Sequence, residues 1–348
     1  METNIPFEKI LPFFYFFDSN DRICITYLLS GMLIGAIYFF YKLRIKSFNK
    51  FIKYFLNPKI LFHRSARTDL YLFIFNYWLR IILIVPLIFS ELEIIKIIKD
   101  GLTNVFPNYQ AFTLNPFAYS VLYSLVLFIV ADFFRFLYHY ISHKNALMWE
   151  LHKIHHSAIT LNPLTTYRVH PADVVILIVK QIMVTGLVAG IFSFLINGQY
   201  VLLTVFGVQL LGSIINFFGA NLRHSHIPIS FGKKLETIFV SPVMHQMHHA
   251  INRNNNLVNL GSNLTIWDKL FKTYYRPDFK PMRFGLSKSQ RSIKWFHLFI
   301  NPIAFISDKA QKMKKTSQPN LKRSFLNFDT KRKTYDLRWD RVEEKINL

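Results

Sequence analysis

Five apolar stretches in this sequence approach the length at which a helix crosses a bilayer, roughly 20 residues. They are 23–41, 70–89, 117–134, 174–195 and 200–218. The chain is 51% hydrophobic and only 18% charged, whereas soluble domains are about a quarter charged. The sequence therefore predicts an all-α integral membrane protein with about four to five transmembrane helices.

Basic residues dominate the charge of the chain and flank the apolar stretches. The formal net charge is +22, but this arrangement fits an anionic membrane surface, and no nucleic acid partner is expected. The segment from Lys42 to Thr68 holds eight basic residues and no acidic one, namely Lys42, Arg44, Lys46, Lys50, Lys53, Lys59, Arg64 and Arg67. The positive-inside rule places this loop in the cytoplasm.

Histidine is concentrated in one part of the chain, where eleven of the thirteen histidines lie between His139 and His249. The main clusters have the pattern HxxxH at 139–143, HxxHH at 152–156, HxH at 224–226 and HxxHH at 245–249. Side chains at i, i+3 and i+4 share one helix face, and neutral imidazole is a common metal ligand. The clusters therefore predict a metal site, and alternation of the apolar stretches places all four on the cytoplasmic side.

The ordered set of motifs resembles the fatty acid hydroxylase/sterol desaturase superfamily of integral-membrane, non-haem di-iron enzymes. The resemblance covers roughly 132 to 275 and rests on the histidine clusters together with Trp149-Glu-Leu-His, Arg168-Val-His-Pro171, Asn259-Leu-Gly261 and Trp267-Asp-Lys-Leu-Phe271. The chain departs from many members at Tyr140, Leu260 and Lys272. These departures leave the subfamily and the substrate open.

The resemblance implies a cytoplasmic helical cap that holds two iron ions, with O2 as co-substrate and no catalytic residue beyond the metal ligands. The expected ligands are His139, His143, His152, His155, His156, His224, His226, His245, His248 and His249. His170 is a possible further ligand. Asp132, Asp173, Asn259 and Asp268 are expected around the site, where the three aspartates would orient imidazole N–H groups.

The function implied is O2-dependent hydroxylation or desaturation of a lipid such as a fatty acyl chain or a sterol. The chain has one cysteine and no recognisable haem, flavin or dinucleotide motif, so an external electron donor is expected, such as a ferredoxin or a cytochrome with its reductase. A membrane metal transporter or metal-sensing protein is the alternative. Transporters place ionisable residues within their spans, whereas these histidines fall outside them. A scaffold that has lost catalysis is disfavoured because no cluster lacks a histidine.

Three regions are expected along the chain: membrane helices with the basic loop at 1–116, the catalytic domain at 117–275 and a basic polar tail at 276–348. The tail would lie in solvent on anionic headgroups. The expected location is a bacterial inner membrane or the endoplasmic reticulum, with the histidine clusters facing the cytoplasm.

Overall fold

The computed structural model describes residues 12–18, 21–197, 204–205, 208–251, 257–276 and 283–286. In order, its helices are a 3-10 helix at Pro12–Phe16, α1 (Ile25–Ile37) with a π-helical end at Tyr38–Lys42, α2 (Phe48–Phe55), α3 (Pro58–Leu61), α4 (Arg64–Val105), α5 (Pro116–Lys144), α6 (Ala146–His156), a 3-10 helix at Pro163–Tyr167, α7 (Pro171–Leu195), α8 (Leu210–Phe217), a 3-10 helix at Ala220–His224, α9 (Gly232–Leu235), α10 (Pro242–His249) and α11 (Ile266–Leu270). The strands β1 (Phe112–Thr113) and β2 (Ile196–Asn197) pair in parallel, and β3 (Thr204–Val205) pairs antiparallel with β4 (Val208–Gln209).

Helices α4, α5 and α7 form a bundle with two distinct ends. At one end the β1–β2 pair joins the residues before α5 to the end of α7, and the Tyr109 hydroxyl donates a hydrogen bond to the Leu195 carbonyl at 3.0 Å. The opposite end holds the last turns of α5 and the first turn of α7. Between the ends, α5 and α7 share an apolar core that includes Tyr123, Leu127 and Phe192.

The packing of α7 against α4 requires two glycines one helical turn apart. A Cβ atom added to Gly186 would lie 2.7 Å from Ile94 Cγ2, and one added to Gly190 would lie 2.7 Å from Ile98 Cβ. Real Cβ atoms do not approach other atoms so closely. Small residues four positions apart are a usual means of bringing two helices together in membranes, and here they fix the distance between α4 and α7.

Helix α1 packs along the end of the bundle that carries the histidines. Just before it, Asp21 accepts a hydrogen bond from the Tyr167 hydroxyl at 3.0 Å. Near its end, Gly35 lies against Phe55 of α2 and against Ile227. The basic loop that contains α2 therefore lies at the same end of the molecule as the histidine clusters.

Three helices are long and apolar enough to cross a membrane among the described residues: Ile25–Lys42, Pro116–Lys144 and Pro171–Leu195. They contain most of the first, third and fourth predicted stretches. The second stretch, 70–89, lies inside α4, which at 42 residues is about 63 Å long. The side chains of 84–90 lie outside the described part of the chain.

The prediction of a single helix over 200–218 was wrong for the residues of this range that the structure describes. Thr204–Val205 and Val208–Gln209 form strands, and α8 has only eight residues, about 12 Å of helix. An apolar run of this length carries no periodicity that separates a helix from a strand. The expected turn at 196–199 and the tail at 276–348 lie largely outside the described residues.

Candidate metal centre

Two of the helices that carry the histidines begin at residues that favour a helix start. Asn145 ends α5 and begins α6, where its Oδ1 accepts hydrogen bonds from the Leu147 and Met148 backbone N–H groups at 3.0 and 3.1 Å. Pro242 begins α10 at a position where its missing N–H costs nothing. These local signals place α5, α6 and α10 so that their histidines meet.

The structure brings nine histidines into two adjacent groups in which the potential ligand atoms lie within 4.8 Å of one another. The first group comprises His139, His143, His152, His156 and His248, and the second comprises His155, His224, His245 and His249. The groups touch, because the rings of His156 and His249 stack with centroids 4.6 Å apart. Such a pair of groups could hold two metal ions side by side.

The division explains why the pattern HxxHH occurs twice. On α6, His152 and His156 share one helix face and belong to the first group, while His155 belongs to the second. On α10 the assignment is reversed, since His245 and His249 belong to the second group and His248 to the first. Each motif therefore gives a pair at i, i+4 to one group and a single ring to the other.

Hydrogen bonds from the protein hold several rings with one nitrogen facing the centre. His139 Nδ1 lies 2.8 Å from the Leu260 carbonyl and His248 Nδ1 lies 3.1 Å from the Val258 carbonyl. A carbonyl only accepts, so these Nδ1 atoms carry the proton and leave Nε2 with a lone pair. The buried Nε2 atoms of His139, His143 and His152 have no hydrogen-bond partner among the described residues, which is the state expected of metal ligands.

The nitrogen spacing of the second group fits coordination of one ion. His224 Nε2 lies 3.0 Å from His245 Nε2, 3.2 Å from His249 Nε2 and 3.3 Å from His155 Nε2. With metal–nitrogen bonds of about 2.0–2.1 Å, two ligands of one ion lie about 2.9 Å apart at a right angle and about 3.3 Å apart at a tetrahedral angle. The residues present therefore fit a bound transition metal.

Burial keeps these imidazoles neutral. It lowers the pKa of His155 to about 3, and together with the charges of neighbouring histidines it holds the pKa values of His152, His224 and His249 well below the ordinary value of 6.5. Neutral imidazole is the form that binds metal. The centre is thus ready to accept cations at neutral pH without first releasing protons.

An ion pair between α4 and the segment before α7 supports the end of α6. Arg168 Nη1 donates to Asp69 Oδ1 at 2.8 Å, and both side chains are almost fully buried. The Arg168 Nε donates to the Ile154 carbonyl at 3.0 Å, next to His155. Sequence reasoning noted Arg168 only as part of a motif, and Asp69 gave no signal, because its partner lies 99 positions away.

Further side chains that sequence reasoning missed hold the second group. Thr166 Oγ1 lies 2.9 Å from His224 Nδ1. The Gln246 amide, inside the last HxxHH motif, donates to the carbonyls of Leu222 and Ile227, each at 2.9 Å. Gln246 therefore ties α10 to the turn that carries His224.

Two of the expected histidines lie outside both groups. His226 Nε2 lies 2.6 Å from the Tyr54 carbonyl, so this ring binds the loop around α2 and points away from the centre. His170 Nδ1 accepts a hydrogen bond from the Ala172 N–H at 3.0 Å and caps α7. Short-range spacing made His226 an expected ligand like His224, and His170 only a possible one.

The three expected aspartates and Asn259 bind the segments that surround the centre. Among the described residues, none of them makes a hydrogen bond to an imidazole. Asp132 accepts from the Leu264 N–H at 3.1 Å and the Trp267 indole at 3.0 Å, and Asp173 accepts from the Tyr138 hydroxyl. Asp268 accepts hydrogen bonds from the backbone N–H groups of Leu260 and Gly261. The Asn259 side chain accepts one from the Tyr275 N–H and donates one to the Met244 carbonyl.

The expectation that the three aspartates orient imidazole N–H groups directly is therefore corrected, and the correction has a geometric reason. Asp268 fixes the backbone at Leu260, and the carbonyl of that residue contacts His139. The groups that orient His139 and His248 are therefore backbone carbonyls, and Asp268 holds the backbone at one of them, Leu260.

The described residues thus combine a helical bundle, three candidate membrane spans and two adjacent histidine groups that could hold metal ions. Residues 124–273 match the family model for fatty acid hydroxylase. This segment, somewhat less than half of the chain, is similar to the fatty acid hydroxylase family.

Two curated relatives match part of the chain. One is the ornithine lipid hydroxylase OlsE of Rhizobium tropici, 30% identical over 47% of this chain and 44% of that protein. The other is the alkylglycerol monooxygenase of Homo sapiens, 26% identical over 56% of this chain and 40% of that protein. The chain thus spans less than half the length of either relative. No solved structure matches it significantly.

Proposed function

We propose that this protein is a membrane-bound, O2-dependent lipid oxygenase that hydroxylates its substrate at a centre of two iron ions. The observation that supports this most directly is the pair of adjacent groups of neutral imidazoles, five and four in number. Two non-haem irons so held can activate O2 for insertion of oxygen into an unactivated C–H bond.

The residues of the chain have three tasks in this proposal. The carbonyls of Leu260 and Val258 hold the imidazole protons on Nδ1 of His139 and His248, so that Nε2 faces the metal. Burial of the histidines excludes water from the oxidant. The apolar faces of α5 and α7 lie next to the centre, so a lipid would reach it without leaving the membrane.

The names of the relatives support a lipid as substrate and hydroxylation as the reaction. One relative is described as a lipid hydroxylase and the other as a monooxygenase. Hydroxylation is therefore the first reaction to test, and desaturation the second. An external electron donor, such as a ferredoxin or a cytochrome with its reductase, belongs to the proposal because each turnover with O2 consumes electrons.

A metal transporter is the competing function, and the geometry argues against it. A transport site must release its ion, so it uses few ligands that open to an aqueous path. Here nine imidazoles surround the centre, and His156, His224, His245, His248 and His249 are buried. Such a set favours a resident ion.

Comparative lipid mass spectrometry tests the proposal. Cells with the gene should contain a lipid that has gained one oxygen atom relative to cells without it, and the product should disappear in the His248→Ala variant and under anaerobic growth. The matched control is His226→Gln, which keeps a donor toward Tyr54 and should retain the product. A lipid that has instead lost two hydrogen atoms would indicate desaturation. An unchanged lipid profile with normal expression would contradict the oxygenase.

A further inference from the structure

Four basic side chains lie on the bundle side of the histidine centre and are not part of it. Arg135 precedes His139 by one turn of α5, and Arg223 directly precedes His224. Lys180 lies on α7, two turns after Asp173, whose carboxylate contacts Tyr138 of α5. Arg22 lies just before α1, beside Asp21 and its partner Tyr167. We call these four residues the cationic cluster.

The members of the cationic cluster are electrostatic neighbours. The charges of Arg22 and Arg135 both act on the Arg223 guanidinium. The charge of Arg135 also acts on Lys180 and on Arg22. Like charges gathered in this way repel each other, and in a partly buried place that repulsion is weakly screened.

One carboxylate, Asp132, serves all four cations, and it is already engaged. Its Oδ2 accepts hydrogen bonds from Leu264 and Trp267, and its Oδ1 lies 3.7 Å from the Arg135 guanidinium. Asp21, the other acid whose charge acts on Arg22, is shared with Arg80, whose charge also acts on it. The excess of positive charge is therefore about three, counted either with or without the Asp21–Arg80 pair.

The cationic cluster is also poor in hydrogen bonds. Within the described part of the chain, Arg22 and Lys180 make none, and Arg223 makes two long ones, at 3.3 Å to Asn263 Oδ1 and 3.4 Å to the Val240 carbonyl. Arg223 is 4% exposed, so its guanidinium does not extend to water or to bulk headgroups.

We infer that the cationic cluster binds the anionic oxygen group, carboxylate or phosphate, of the lipid that the centre oxidises. An oxyanion placed among the four cations would offset their repulsion and accept the hydrogen bonds that Arg22 and Lys180 leave unused. This inference rests on the proposed function for the identity of the ligand as substrate. The binding site itself requires no metal.

Snorkelling toward the membrane surface is the simpler role for basic residues at helix ends. It accounts for Arg135, which is 37% exposed. It does not account for Arg223, which is buried between the histidine turn and Val240, nor for the convergence of side chains from α5, α7 and the segment before α1 on one carboxylate. A specific anion site accounts for both features.

Binding measurements on the metal-free protein in neutral detergent micelles test this inference separately from activity. The probes are laurate, dodecyl phosphate and the uncharged methyl laurate. The wild type should bind at least one of the two anions more tightly than the ester, and which anion it prefers identifies the headgroup. Lys180→Gln and Arg22→Gln should each weaken binding of that anion about tenfold, the usual effect of losing one charge-assisted hydrogen bond.

Controls separate the site from general charge and from folding. Lys96→Gln and Arg67→Gln remove exposed charges outside the cationic cluster and should leave binding of the anion unchanged. Arg22→Lys keeps the charge and should restore most of the affinity, while methyl laurate should bind all variants equally. Equal binding of ester and anions by the wild type, or an equal loss in the control variants, would overturn the inference. Intact anion binding in a protein without oxygenase activity would count against the proposed function alone.

Discussion

At the scale of single residues, the second nitrogen of each imidazole determines its role. His139 and His248 are held by backbone carbonyls and His224 by the Thr166 side chain, so their remaining nitrogens face a common centre. His226 has the same chemistry but gives its Nε2 to the Tyr54 carbonyl. The proposed ligands and the packing residue therefore differ in which ring nitrogen the protein holds, Nδ1 in His139, His248 and His224 and Nε2 in His226.

Substitution of single histidines should separate these roles. Purified protein should contain about two iron ions per chain, as two-metal sites require. His155→Ala and His248→Ala each remove one nitrogen from a group of four or five and should lower the metal content to about one ion or less. Elemental analysis of the purified variants measures this.

The control for this experiment is His226→Gln, which should keep both ions because its ring lies outside both groups. Loss of metal in this variant, with normal folding, would restore His226 as a ligand. Full occupancy in His155→Ala and His248→Ala would show that these residues do not bind metal.

The metal-free protein should lose stability as the pH falls below neutrality. Burial lowers the pKa of His155 to about 3 in the folded state, while the unfolded chain titrates near 6.5. The unfolded state therefore binds more protons between these values, and the free energy of unfolding should fall by up to about 1.4 kcal/mol per pH unit for each such histidine. Stability should be constant above about pH 7.5.

Urea-induced unfolding in detergent, with a metal chelator present, measures this dependence at pH 7.5, 6.5 and 5.5. A free energy of unfolding that stays flat across this range would mean that the histidines are not buried in the neutral form. Bound metal should raise the free energy of unfolding across this range without changing its slope, because the folded-state imidazoles carry no proton with or without the metal.

The sequence predicted all nine histidines that meet in the two groups, because ligand spacing on a helix is local information. It could not predict the carbonyls of Val258 and Leu260, since a backbone carbonyl has no signature in the side-chain pattern. It also overestimated His226. The backbone becomes extended at Ser225, with φ −148° and ψ 171°, and the helical turn that carries His224 ends there.

At the scale of elements, contact between α4 and α7 positions α7, whose first turn adjoins the histidine end. Gly186→Ala and Gly190→Ala would each place a methyl group 2.7 Å from an isoleucine of α4. Overpacking of this kind costs about 1–3 kcal/mol, and both variants should unfold at lower temperature in detergent. The metal content of a variant should fall only if its substitution separates α7 from α4.

Gly101→Ala is the matched control, since a Cβ at this position in α4 meets no atom within 4 Å. It should be neutral or stabilising by about 0.5–1 kcal/mol through higher helix propensity. Equal melting temperatures for all three variants would show that α4 and α7 do not pack as described.

The helices were predictable where an apolar run matched most of an element, as in α7 (Pro171–Leu195) and in the first two thirds of α5 (Pro116–Lys144). The helices were less predictable where tertiary contacts decide the length or the type of an element. The length of α4 exceeds its apolar stretch, since its first turns belong to the histidine end, where Asp69 pairs with Arg168. The stretch 200–218 was apolar throughout and gave no sign of the two short strands that precede α8.

At the scale of the whole molecule, the basic loop and the histidine centre occupy one end of the bundle, and the Tyr109–Leu195 contact marks the other. The positive-inside rule assigns the first end to the cytoplasm, where an electron donor would dock. Reporter domains joined after Phe55, after Val105 and after Thr160 should accordingly read cytoplasmic, external and cytoplasmic, because α4 and α5 connect the two ends in opposite directions. An external signal after Thr160 would invert the molecule and place the donor on the other side. Identical signals after Phe55 and Val105 would show instead that α4 does not cross the membrane.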